Sequence, residues 1–394
     1  MLVFKSIYFN LLAIQISLIK LFKKIYFATN FYNKSLISKT PQQFYFHPNP
    51  FLLSTITNYK KFSFKIGKID PNIFWIEKKS YREEQDSHNF LWLNLIDRKN
   101  DGKSIQKIIN LWMMKNSKYK INIWESSVIS KRIISWILNV DIILNNGMFD
   151  FKRKFLGSII SQANHLKKNI KFEKNYLKRI EILTALLLTG LVFKEYEENY
   201  EVAIRELEKF VKVFFDQDGF PLSRNPYDLV FISKYLILCQ QCIKDAQKYL
   251  PEFLETIIKK NLFCIKKITT PNEQMPLFNG GVEEDLKKLN EHMDEIEIKT
   301  KNTKDVIGGI QILKFKNSQI FFDIGEPPNK SFSKSYQSGP LSFEYYVDGS
   351  KVITNCGFGF NISTKAELLS KLTSAQSTLT LNDTSVTKFE RSRL

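Results

Sequence analysis

Between about Glu83 and Ile268, apolar residues recur every three to four positions in segments of roughly 12 to 22 residues, the spacing of a helix that buries one face. Residues 127–144 place Val128, Ile129, Ile133, Trp136, Ile137, Val140 and Ile143 on one broad face. The segments 151–170, 176–193, 200–215, 227–249 and 251–268 repeat the design. The joints between them, such as LNNGMFD, KEYEEN and DQDGFPLSRNP, are short and polar. Helices of similar length joined this way predict antiparallel hairpins stacked around a shared core. Periodicity alone leaves a closed ring, an open solenoid and a bundle all available. No fixed-period repeat is visible, which sets aside the common solenoid motifs.

After Thr269 the pattern changes. TPNEQMPLFNGG predicts a loop, and 282–296 is acidic and compatible with a helix. Alternating strand-like runs then begin: IQILKFKNSQIFFDIG, PLSFEYYVDGSKVITNCG and SAQSTLTLNDTSV. Asp348-Gly349 and Asn382-Asp383 stand where tight hairpin turns belong. This part predicts roughly four to six antiparallel strands. Such a sheet needs a second layer over its apolar face. The expectation is therefore that the helical part covers it, or that the chain is a fragment of a longer protein. Before the helices, residues 30–80 read as irregular, broken by Pro41, Pro48, Pro50 and Pro71, with a short extended run at 61–69. The resulting division is a lead-in over 1–80, a helical domain over 81–270, a connection over 271–306 and a β domain over 307–394.

The first residues carry an apolar stretch from Ile7 to Ile19 interrupted by Asn10, Gln15 and Ser17. It is too short to span a bilayer and lacks a small-residue cleavage site, so it reads as an amphipathic helix lying on a partner or a membrane surface. The chain has 394 residues, 43% of them hydrophobic, enough for a large core, and 25% charged with 14% aromatic, which excludes disorder. A net charge of +18 suits a polyanion. Lys, Ile, Asn and Phe are all abundant, as a genome-wide coding bias would make them, so charge alone selects no partner. Cys239, Cys242, Cys264 and Cys356 form no disulfide framework. The CxxC of the first two lies within one amphipathic segment, FISKYLILCQQCIKDAQ, and reads as helix packing. No phosphate loop, dinucleotide fingerprint or zinc-finger spacing occurs.

The best cluster for chemistry is Ser223-Arg224-Asn225-Pro226-Tyr227. Asp218-Gly219 makes a turn and Pro226 favours a helix start, which leaves Arg224, Asn225 and Tyr227 at a helix N-terminus, where anions are favoured. The structural reading of the same residues is a capping turn with a buried ring. The acidic residues Glu344, Asp348 and Asp383 read as solvated strand and turn positions.

Several strings, taken in order, resemble the heparinase II/III-like family. WESSVISKRIISWILN resembles its Trp, linker, Arg-apolar-apolar-x-Trp signature; SQANHLKKNI its Gln-Ala-x-His-Leu helix; ILTALLLTGLVF its small-residue helix. DQDGFPLSRNP and MPLFNGG resemble two of its loops, and SGPLSFEYYVDGSKVITNCG and SAQSTLTLNDTS its first sandwich strands. The matches run from Trp124 to Ser385. The resemblance implies a multidomain α+β fold: an incomplete α/α toroid followed by a partial antiparallel β-sandwich. It implies a carbon–oxygen lyase that cleaves uronic-acid polysaccharides by β-elimination, located in the cell envelope or periplasm, with the cytoplasm left open as the alternative. It implies an acidic polysaccharide as partner, with no nucleic acid, cofactor or metal expected. Peripheral membrane contact through the first segment is a further expectation, and the oligomeric state is left open.

Carried onto this chain, the resemblance gives Tyr227, Asn225 and Tyr336 as catalytic candidates. Arg224, Gln337, Asn175, His165 and Gln376 are the substrate-binding candidates. Asn175-Tyr176 stands where many family lyases carry Asn-His. Gln337 and Gln376 stand where relatives often carry histidine, and glutamine cannot act as a base near neutral pH. The loss of both also removes the ligands of a structural metal found in some relatives. The rival reading is a glycan-binding or envelope-assembly protein on the same fold.

Overall fold

The computed structural model describes residues 2–57, 74–75, 80–99, 101–145, 147–284, 286–295, 305–382 and 384–387. The expected extended run at 61–69 and Asp383 lie outside them. Contacts divide the described chain into two compact units. One is built from residues up to Leu53 and from Thr57 to Ile204, the other from Ser54–Ile56 and from Arg205 onward.

The first unit is helical. α1 (Leu2–Ala28) leads into α2 (Asn30–Ser35), whose first turn is capped by the Thr29 hydroxyl accepting from the Tyr32 amide. α3 (Tyr81–Asn89) opens with a capping box between Ser80 and Glu83. α4 (Gly102–Asn116), α5 (Ser126–Leu138), α6 (Val140–Leu144), α7 (Phe149–Asn169) and α8 (Tyr176–Val192) follow, and α9 (Glu197–Phe214) carries the division between the units. α5 packs on α3, α7 and α8, and α4 on α6 and α7.

Residues 127–144, expected as one helix, are two. The Asn139 amide donates to the Ser135 carbonyl at 2.9 Å, and its Oδ1 accepts from Arg98 at 2.7 Å. A side chain that takes up a backbone carbonyl and is itself anchored competes with helix propagation, and the chain breaks there.

The Arg-apolar-apolar-x-Trp string has a packing explanation. Arg132 and Trp136 lie one helical turn apart on α5 and both are fully buried. Trp136 meets Trp112 edge to face at 5.3 Å, and the Arg132 guanidinium lies 4.3 Å over the Trp112 ring. The guanidinium donates to Gln162 Oε1 at 2.6 Å and to the carbonyls of His88 and Ile123 at 2.8 and 3.1 Å. Burial pushes its pKa well down, and these acceptors offset part of the desolvation. The small-residue string has a similar basis: a Cβ on Gly190 would stand 2.2 Å from the Tyr200 amide nitrogen, so only glycine lets α8 approach α9 this closely.

In the second unit α10 (Pro226–Asp245) and α11 (Glu252–Ile268) pack on each other, and α12 (Lys287–Glu295) follows. The sheet is an antiparallel meander in the order β1 (Val306–Ile307), β2 (Ile310–Lys314), β3 (Ser318–Asp323), β4 (Phe343–Val347) and β5 (Ser350–Ile353). Val347 pairs with Ser350 across Asp348-Gly349, both with positive φ, so the expected hairpin turn forms there. A short α13 (Thr364–Leu369) comes later.

The run SAQSTLTLNDTSV does not form the expected strand. Its described residues include the end of a short 3-10 turn, Thr373–Ala375, and an isolated bridge between Leu381 and Thr384. The Phe343 amide does donate to the Ser377 carbonyl at 3.2 Å, but the Ser377 hydroxyl takes the Phe343 carbonyl. That hydroxyl occupies the acceptor a ladder would use, and pairing stops after one residue. Cys239, Cys242 and Cys264 are buried in the α10–α11 pair and joined by no disulfide, while Cys356 is exposed. Burial holds the Cys242 thiol well above its ordinary pKa, unlike a redox CxxC.

Candidate functional site

The approach to α10 is built by local chemistry. Asp216 Oδ1 accepts from the amides of Asp218 and Phe220 at 2.9 and 2.8 Å, and Gly219 takes φ +87°. Arg224 sits in the left-handed region at φ +56°. Asn225 then caps α10, its Oδ1 accepting from the Tyr227 amide at 2.9 Å, with Pro226 in the first turn. Asp228, three residues past the cap, receives the Ser223 hydroxyl at 2.7 Å on one oxygen and the Asn225 amide at 3.3 Å on the other.

The left-handed turn directs the Arg224 side chain inward. Its guanidinium donates to the carbonyls of Gly308, Glu326 and Gly309 at 3.1, 2.9 and 3.3 Å and pairs with Asp323. It lies between Gly309 and Gly325, where any Cβ would collide with it. Asp323 accepts a second bond from Asn279 at 3.0 Å. The neighbouring Gly280 amide donates to Gln337 Oε1 at 2.8 Å, and the Asn225 amide also reaches the Ser335 hydroxyl at 3.2 Å. Gln337 completes its bonding by donating to the Gly357 and Ser370 carbonyls at 2.9 and 2.7 Å.

Arg224, Asn225, Tyr336 and Gln337 are thus brought together around Asn279-Gly280, all of them buried. Arg224, Asn225 and Gln337 belong to a hydrogen-bonded lattice, with the planar fork of Arg224 spent on the protein's own carbonyls and carboxylate. Tyr227 differs: it is half-buried, its ring 5.7 Å from both Phe231 and Phe360. Gln376 is also half-buried and donates to the Ser370 carbonyl at 2.8 Å.

The remaining two candidates belong to the first unit. His165 is buried, with Nδ1 2.7 Å from the Tyr32 hydroxyl and the rings of Phe27, Tyr119 and Trp124 around it. Burial, with Arg132 and Lys168 adding to it, lowers its pKa to about 4. Asn175 caps α8, accepting from the Leu177 and Lys178 amides at 2.9 and 3.2 Å.

Two electrostatic features bear on chemistry. Burial raises the Asp228 carboxyl to about 6, against the lowering effect of the Ser223 hydrogen bond. Burial also raises the Tyr336 phenol, helped by Asp323 and opposed by Arg224. Glu344, expected as a solvated strand position, is fully buried instead. It accepts from the Leu277 and Asn355 amides and from the Thr354 and Tyr346 hydroxyls at 2.8 to 3.3 Å, and burial raises its pKa. The alternation of β4 turns Glu344 inward with Tyr346, and four donors replace its water. Asp348 is exposed at the hairpin turn. Among the described residues no three His, Cys, Asp or Glu side chains stand together as a metal would need. Gln337 and Gln376, at the positions where the resemblance of the sequence implies histidine, are bonded to backbone groups, so these residues do not fit that metal.

Sequence reasoning passed over Asp228 and Asp323. Asp228 carried a signal, an acid three residues after a capping Asn. Asp323 sits at a strand end with nothing local to mark its distant partner.

Two family models match the chain in order: Heparinase II/III N-terminus over residues 103–302 and Heparinase II/III-like, C-terminal, over 306–394. Among solved structures, the heparan sulfate lyase HepC from Pedobacter heparinus superposes with a TM-score of 0.60 at 17% identity, covering 85% of this chain and 60% of that one. A heparinase III structure gives a TM-score of 0.63 at 14% identity, covering 82% and 58%. This chain therefore spans about 60% of the length of the structures it resembles. At these identities the likeness establishes the fold, a helical toroid region followed by antiparallel sandwich strands, as the family resemblance of the sequence implies. No curated protein sequence matches significantly. With both models matched in succession over most of its length, the chain belongs to the heparinase II/III-like family.

Proposed function

We propose that the protein engages an acidic, uronate-containing polysaccharide and acts on it in the manner of a lyase, by β-elimination. Family membership supports the polysaccharide. The observation that carries the reading is the position of Tyr227: Ser223, Arg224 and Asn225 before it are buried and bonded within the protein, whereas Tyr227 keeps part of its surface at a helix N-terminus.

In β-elimination a base removes the proton alpha to the uronate carboxylate, and that electron pair forms a carbon–carbon double bond. The glycosidic carbon–oxygen bond breaks, and the leaving oxygen takes up a proton. Tyr227 is the group proposed to move these protons. Arg224 and Asn225 act through the fold by fixing the helix start on which Tyr227 stands. Tyr336 is enclosed and held protonated at neutral pH, which makes it a supporting neighbour.

The full chain, incubated with heparan sulfate, chondroitin, hyaluronan and alginate, should yield unsaturated ends absorbing in the ultraviolet. Tyr227→Phe should abolish that signal while leaving polymer binding. The absence of unsaturated ends from all four polymers would count against catalysis. A second reading, a glycan-binding or envelope-assembly protein without catalysis, is favoured by Gln337 and Gln376, whose amides are spent on backbone carbonyls. It expects binding without cleavage and no effect of Tyr227→Phe. A cell-envelope location belongs to both readings and is checked by fractionation.

A further inference from the structure

α1 is 27 residues long, about 40 Å at the helical rise. Leu11, Ile14, Leu18, Phe22 and Ile25 follow one another at three- and four-residue steps, and each is about half or more exposed, Leu11 at 62% and Phe22 at 66%. At about 100° per residue these five fall within roughly 80° of arc. Tyr8 and Tyr26, exposed and five turns apart, lie on a single line along one border of the stripe. Leu12, Ile16 and Phe27 are less exposed and lie on the other side of the helix, where Phe27 packs on Tyr119 and His165. One apolar side of α1 is thus used by the protein and the other is presented outward.

The charge of this segment, taken together with its apolar stripe and aromatic border, narrows what the outward side meets. Ten lysines and neither Asp nor Glu precede Asp70. Lys20 and Lys24 are exposed on α1 away from the stripe, and Lys23 sits 4.7 Å over the Phe172 ring. Among the described residues no helix is long and apolar enough to cross a membrane. A helix-pairing seam is narrow and flanked by charges of both signs. Here, with its tyrosine border included, the exposed arc is wider, and every charge is positive. Aromatic side chains with a polar tip suit the boundary between lipid and water.

We infer that α1 lies in the plane of an anionic lipid bilayer, its Leu11–Ile25 stripe in the acyl boundary and its lysines at the headgroups. The inference does not depend on lyase activity. It binds the protein to a surface from which the remainder of the chain can work on a polymer.

The test uses the full chain and vesicles of phosphatidylcholine alone or with about 30% phosphatidylglycerol, a composition chosen for its anionic surface. The protein should float with the anionic vesicles and bind neutral ones roughly tenfold less well. Leu18→Glu with Phe22→Glu, both at exposed positions, should lower binding to anionic vesicles by roughly a hundredfold. Lys20→Gln with Lys24→Gln should reduce the preference for anionic over neutral vesicles. Phe22→Trp reports insertion directly, through a blue-shifted emission on adding anionic vesicles. Undiminished binding by the double Glu variant would overturn the proposal. So would a wild-type oligomer that ignores vesicles and that the same variant converts to monomer, because the stripe would then belong to a second copy of the chain.

Discussion

Gln337 and Gln376 donate to one acceptor, the carbonyl oxygen of Ser370, at 2.7 and 2.8 Å. The two are not equivalent. Gln337 is 1% exposed and uses both amide hydrogens and its oxygen, joining Gly280, Gly357 and Ser370. Gln376 is half-buried and adds one bond to a carbonyl already served. Gln337→Leu should destabilise the protein by about 2–4 kcal/mol, because it strands buried backbone groups. Gln376→Ala should cost under about 1 kcal/mol. Urea unfolding of the two variants checks the ranking, and equal losses would contradict it. Gln337→His cannot restore the wild-type value, since imidazole offers two bonding positions where three are used.

Arg224 and Asp323 are the second test of the lattice. Removing the cation alone leaves Asp323 buried with, among the described residues, Asn279 and the Gly325 amide to receive from. Arg224→Met should therefore cost about 3–5 kcal/mol. Arg224→Met combined with Asp323→Leu should cost less than the sum of the two single losses, with a coupling of about 1–3 kcal/mol. Additive losses in a double-mutant cycle would mean that the pair does not act as a unit.

The helices were legible because each buries one face, and a period of 3.6 writes that face into the sequence. The boundaries of α7, α8, α10 and α11 fall within a few residues of the periodic segments. What failed were places where one polar side chain took a backbone group: Asn139 divides a periodic segment, and Ser377 ends a strand that alternation predicts. Of the candidate cluster, the helix start at Asn225-Pro226 was readable. The commitment of Arg224 to Asp323 was not, since 99 residues separate them and neither carries a local mark of the other. Glu344 failed for the same reason: alternation assigns a face, but three of the four donors that make a buried carboxylate tolerable come from two other segments, at Leu277 and at Thr354-Asn355.

His165 gives a pH signature to the first unit. Its folded pKa of about 4 lies below the ordinary 6.5, so the fold favours the neutral ring. The unfolded chain takes up the proton first as pH falls. This contribution is therefore fully present above pH 6.5 and is lost as pH falls from there toward 4. The full shift corresponds to about 3 kcal/mol. His165→Gln, neutral throughout, should be less stable than wild type at pH 7.5 and close that gap by pH 4.5 in thermal melts. A gap that stays constant would mean that His165 is not the titrating group.

Asp228 works in the opposite sense. Its folded pKa of about 6 lies above the ordinary 3.8, so the fold favours the protonated acid. The stability it lends is complete below pH 3.8 and is lost as pH rises through 6, leaving an ionised carboxylate in poor solvation at pH 8. Two units correspond to about 3 kcal/mol, an upper bound because the side chain is partly exposed. A carboxamide in its place would keep an oxygen for the Asn225 amide, and the Ser223 hydroxyl can rotate to accept from the new amino group. Asp228→Asn should therefore match wild type near pH 4 and exceed it at pH 8, by about 1–2 kcal/mol. The comparison needs both ends of the range: a variant less stable at every pH would show that the two carboxylate hydrogen bonds outweigh desolvation, and Asp228 would then be a cap that the fold keeps ionised.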